Sequence, residues 1–121
     1  MTASDDASSP IDLPALATEL LEKAAAAPAH RASRTLAHPV DGLRQTVIAL
    51  LAGTELGEHE SPGPASLQVL RGRVRVVAAD GAVELAAGTI APIPDQRHSL
   101  HADEDSVVLL SIAVPDRAPL D

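Results

Sequence analysis

The 121-residue chain contains no cysteine and no phenylalanine, tyrosine or tryptophan. Without cysteine there is neither a disulfide framework nor a thiolate metal site. Without aromatic residues the core must be packed from Val, Leu, Ile and Ala, and any pocket is walled by small aliphatic groups that offer few stacking contacts to an aromatic ligand. The same lack removes the stacking platforms that single-stranded nucleic acid uses. Positive charge is scarce as well: nine Lys and Arg against 17 Asp and Glu leave a net charge of −8, which repels phosphate backbones. No nucleic acid partner is expected. Also missing is any apolar run near the ~20 residues that span a bilayer. The opening MTASDDASSP has neither the basic flank nor the apolar stretch of a secretory signal. No membrane partner is expected, and the default localisation is cytoplasmic.

What is present reads as one globular domain: 45% of the residues are hydrophobic, and a chain of this length buries roughly two-thirds of its unfolded surface. Residues 1–10 carry no periodic apolar face and are expected to form a disordered tail. Residues 11–28 read as a helix. Asp12 caps it, Pro14 sits in its first turn, Leu16, Leu20 and Ala24 line one face, and Pro28 stops it. Its expected role is to cover an open side or an edge of a sheet formed by residues 29–121.

That remainder is a succession of short runs rich in β-branched and aliphatic residues, SRTLAHP, GLRQTVIALLAG, SLQVLRGRVRVVAA, AVELAAG, TIAPIP and SVVLLSIAVP, each closed by Gly, Pro or Asp. The recurrence predicts an all-β sandwich or barrel. Thr46–Leu51 and Val107–Ile112 are apolar at nearly every position, so both faces need cover: the barrel interior on one side, the helix or a second subunit on the other. A homodimer is therefore expected. The Asp80–Gly81 pair predicts a tight hairpin turn. Arg71, Arg73 and Arg75 alternate along one run, which places three guanidinium groups on one side of a strand, read as a solvated outer face with Glu84 near in sequence. The apolar parity changes between Leu67/Val69 and Val74/Val76, so either a bulge at Gly72 switches faces or both faces are buried before it.

Two segments carry the candidate chemistry. GEHESPGPASLQVLRGRV places His59 just before a turn, and GTIAPIPDQRHSL places His98 at the start of another strand. His98 and His101 are three apart, so on a strand they face opposite sides and cannot chelate together. His59 and His98 are the sensible pair. Glu55 shares the parity of His59 if the strand runs unbroken through Gly57, and is the local candidate for a third ligand. His30 and His38 read as surface or strand-end residues.

These two segments together resemble the paired motifs of the cupin family. Counting back from Gly72 sets His59 at the first histidine of the first motif, Ser61 at the second histidine and Ala65 at the glutamate. In the second motif Gly88 and His98 match in role, with the spacing one residue short and Asp95 where a glycine would stand. The resemblance covers about Arg31 to Val114. It implies an antiparallel β-barrel of the double-stranded β-helix or jelly-roll type, here with one N-terminal α-helix, and a site in the barrel mouth. The family's site is held by three histidines and a glutamate. His59 and His98, with Glu55, are then the metal-ligand candidates for Zn, Fe, Mn or Ni, and Ser61, Ala65 and Leu67 the candidate ligand pocket. A hydroxyl and a methyl replace an imidazole and a carboxylate, leaving two protein ligands where durable sites supply at least three.

Three functions follow: a non-catalytic cupin binding a metal ion or small ligand, a metal-dependent cupin enzyme of oxygenase or isomerase type, and a structural module. Alanine at the glutamate position favours binding over catalysis, because a redox metal held through turnover needs its full ligand set.

Overall fold

The computed structural model describes residues 9–37, 40–60 and 63–114. The expected tail and His38 lie largely or wholly outside these ranges, as does Ser61. Helix α1 spans Leu13–Ala26 and starts as its sequence requires: the Asp12 carboxylate accepts from the Ala15 N–H at 3.0 Å, and Pro14 occupies the first turn. Leu16, Ala17, Leu20 and Ala24 are buried along one stripe. Past the helix, His30 takes a left-handed backbone with φ of 56° and turns the chain into the first strand. It is an exposed turn residue.

Nine strands follow: β1 Arg31–Thr35, β2 Leu43–Leu50, β3 Glu55–His59, β4 Ala65–Arg71, β5 Arg73–Ala78, β6 Gly81–Ala86, β7 Ile90–Pro92, β8 His98–Ala102 and β9 Ser106–Ala113. They pair antiparallel into a five-stranded sheet, β1-β2-β9-β4-β7, and a four-stranded sheet, β3-β8-β5-β6. The inner faces pack on each other through a cluster that includes Leu50, Leu67, Val69 and Val108 from the first sheet and Val74, Val76, Leu85 and Leu100 from the second.

The outer face of the five-stranded sheet has its own core. Val47 and Ala49 of β2 and Val107 and Leu109 of β9 are buried against Leu16, Ala17, Leu20 and Ala24 of α1. The helix thus supplies the second cover that the doubly apolar strands require, and the packing argument for a homodimer is met within one chain.

The run SLQVLRGRVRVVAA is two strands, not one. Gly72, at φ +82°, ends β4 in one sheet and begins β5 in the other, which resolves the change of parity as a corner between sheets. Arg71 is therefore separated from Arg73 and Arg75, which keep one face of β5. Arg71 donates through Nη2 to the Pro14 carbonyl at 3.0 Å and the Thr18 hydroxyl at 2.7 Å, tying β4 to the helix. Arg75 pairs with Asp103 at 3.0 Å and Arg73 approaches Glu104 at 3.9 Å. The β5–β6 hairpin closes through Ala79 and Asp80, with Ala78 opposite Gly81.

Candidate functional site

A small cavity lies between the two sheets, with a volume of about 40 Å³. Ile48 of β2, Leu67 of β4 and Leu110 of β9 wall it from one sheet; Leu56 of β3, Val76 of β5 and Leu100 of β8 wall it from the other, and Ile93 follows β7. All but Ile93 are inward residues of strands, so most of the lining follows directly from strand periodicity. Among the described residues a single polar side chain joins them, His98, which is 4% exposed.

His98 opens β8, and its Nδ1 lies 2.8 Å from the backbone carbonyl of Gln96. A carbonyl only accepts, so Nδ1 carries the proton and Nε2 is the basic nitrogen of the neutral ring. On the neighbouring strand His59 is the register partner of His98. The two histidines singled out in the sequence are thus brought together across the β3–β8 pair, at the end of the cavity where β8 begins.

The register of that pair is not continuous. Leu56 is opposite Leu100 and His59 opposite His98, so three residues on β3 span what two span on β8. This bulge, at Gly57 and Glu58, breaks the unbroken strand on which Glu55 would share the parity of His59. Glu55 is exposed instead, neighbours the inward Leu56, and holds His101 with its Oε2 2.8 Å from Nδ1. Ala65 is half-buried at the start of β4, and its carbonyl accepts from the Ile93 N–H at 2.9 Å. It is not among the cavity-lining residues, whereas Leu67 is. Among the described residues no group of three or more His, Cys, Asp or Glu is placed to hold a metal ion. The donor set present, two imidazoles with an alanine at the glutamate position, does not fit the durable metal centre that the motif implies.

His101 and Ser99 were not singled out as site residues from sequence. They lie on the outer face of β8, and the Ser99 hydroxyl is 2.9 Å from His101 Nε2. The local signal was the i, i+2 spacing of Ser99 and His101; the contact with Glu55 depends on strand register and has no local signal.

No family model matches the chain, and no curated protein does. Solved structures do. A conserved protein of unknown function from Streptococcus pyogenes is 32% identical, with a TM-score of 0.65 over 75% of this chain and 80% of that one. An RmlC-like cupin protein from Desulfovibrio desulfuricans is 26% identical, with a TM-score of 0.58 over 69% of this chain and 81% of its own. A salicylate 1,2-dioxygenase from Pseudaminobacter salicylatoxidans shares the fold at 21% identity and a TM-score of 0.67, over 82% of this chain but only 33% of the dioxygenase. Two facing antiparallel sheets, turn glycines at positions 72 and 88, His59 in register with His98 and this set of relatives lead to one assignment: the chain belongs to the cupin superfamily.

Proposed function

We propose that the protein is a small-ligand-binding cupin domain that takes a short aliphatic molecule carrying one hydrogen-bonding group. The observation that carries this reading is the composition of the cavity wall, seven aliphatic side chains and His98. Aliphatic walls favour burial of a hydrocarbon body, and one imidazole at the end, accepting through Nε2, fixes a hydroxyl. Volume limits the ligand further. One water occupies about 10–15 Å³ on this measure, so 40 Å³ admits a body of only about two to four heavy atoms unless a wall moves.

Catalysis through a resident metal is the weaker reading. The dioxygenase neighbour shares the fold, but Ala65 brings no carboxylate and Glu55 is engaged on the outer face. His98 serves in this reading as the polar group for a ligand end.

Methyl-resolved NMR during titration with alcohols of two to four carbons tests the proposal. Shifts concentrated at Leu56, Leu67, Ile93 and Leu110, weakened by His98→Leu, are the expected result. Absence of shifts at those methyls across the whole series would sink it.

A further inference from the structure

The geometry points to a second chemistry, on the opposite face of β8 from the cavity: we propose that Ser99 is a nucleophile, His101 its general base and Glu55 the residue that positions that base. Three observations carry it. The Ser99 hydroxyl is 2.9 Å from His101 Nε2, and the other ring nitrogen, Nδ1, is 2.8 Å from Glu55 Oε2. A carboxylate accepts from Nδ1–H, which leaves Nε2 of the neutral ring as the acceptor for the hydroxyl proton. This is the relation of nucleophile, base and orienting acid found in serine-dependent acyl transfer, where role follows from geometry and not from order in the chain.

The fold sets this arrangement up by two separate devices. Strand periodicity puts Ser99 and His101 on one side of β8, two residues apart. Sheet register then places Glu55 of β3 directly opposite His101 on one flank and Arg75 of β5 directly opposite on the other. Arg75 is committed to Asp103, at 3.0 Å, and faces Glu84 of β6 in register. Glu55 is therefore the charged group bonded to the ring. Ser99 is 7% exposed, beside the partly buried ring of His101.

In the reaction, Ser99 Oγ attacks the carbonyl carbon of an ester while its proton passes to His101 Nε2. The bond from that carbon to the leaving oxygen breaks, and the leaving group departs with the electron pair and takes the proton from Nε2. Water then attacks the acyl-serine, gives a proton to Nε2, and Oγ leaves with that proton, so ester and water become acid and alcohol. Ser99 lies mid-strand, in register with Val77 of β5 and opposite the bulge of β3, and among the described residues no group is assigned as an oxyanion donor. Lack of such a donor typically costs about 100- to 1000-fold in rate. The substrate class is accordingly activated acyl donors, such as aryl esters, and not amides.

The test is incubation of the full chain with p-nitrophenyl acetate, following nitrophenolate release and locating the acetyl group by tandem mass spectrometry of the tryptic peptide that begins at His98. Acetyl on Ser99 is expected. His101→Gln should lower the rate about 100-fold. Glu55→Gln should lower it less and alter its pH profile. Because the chain has no cysteine, S99C offers a single thiol as a second measurement: its alkylation by iodoacetamide should outpace that of a free thiol and should lose this advantage on His101→Gln. Acetyl found only on other residues, equal nitrophenolate release from Ser99→Ala, or a His101-independent S99C would each overturn the proposal.

Discussion

A methyl group added at position 72 would meet the Asp105 carbonyl and the Ser106 side chain and lie 2.9 Å from Ser106 Cα, on a backbone with φ of +82°. Ser106 is fully buried there and accepts from the Arg73 N–H at 3.0 Å, so the corner between sheets and the start of β9 are locked together. Gly72→Ala adds left-handed strain and overpacking, together about 3 kcal/mol, and should appear as a marked fall in the denaturation midpoint. An unchanged midpoint would show that the corner yields. Part of this was legible: the parity change around Gly72 is visible in the residues, while the glycine's tight neighbours come from a segment 33 residues away. The histidines divide the same way. Their opposite facing along β8 follows from spacing alone, but the pairing of Glu55 with His101 depends on the bulge at Gly57 and Glu58, which no local pattern announces. At His98 the expectation concerns metals: protein prepared without a tag should retain less than one divalent ion per chain after exposure to each of Zn, Mn, Fe and Ni followed by a chelator. One ion per chain that His98→Ala removes would reverse that.

Among the elements, α1 was the most legible, because its cap, stripe and stop are all local. Its partner was less so: that it covers β2 and β9 followed only from their doubly apolar composition. Leu20 is 1% exposed in that second core, and Leu20→Ala should cost about 2–5 kcal/mol in chemical denaturation. A cost near zero would mean the helix is not docked in solution. On the exposed side of the helix Glu19 bonds both Lys23 and Arg34 of β1. The hydrogen bond from Lys23, then that from Arg34, holds its carboxyl below its ordinary value of 4.5. A depressed carboxylate contributes stability that is present above that ordinary value and is lost as pH falls through the folded one. Glu19→Gln should therefore lower the melting temperature slightly at neutral pH, less in high salt, and the difference should vanish in acid. A difference that grew on acidification would contradict this assignment.

For the whole molecule, the jelly-roll architecture was legible in the recurrence of short strands and in the two motif segments. Strand order was not, since it depends on pairings between distant runs such as β2 with β9. Exposed large apolar side chains are few among the described residues: Leu43, Val83 and Ile90 lie on three different strands, and Val40 precedes β2. Light scattering over a dilution series tests the expected homodimer: a constant mass of one chain, 12.4 kDa, would remove it. A constant mass of two chains would show an interface that buries these positions.

The edge position of β3 links matters that otherwise look separate. Among the described residues this short strand pairs only with β8, through a register broken after Leu56, and it contributes Leu56 to the cavity wall, His59 opposite His98, and Glu55 to the outer-face histidine. Anything that prises β3 outward to enlarge the cavity also pulls the carboxylate off His101. By thermodynamic reciprocity, an occupant that favours the opened edge would blunt the reactivity of Ser99, and acylation of Ser99 would in turn change the affinity of the cavity for that occupant.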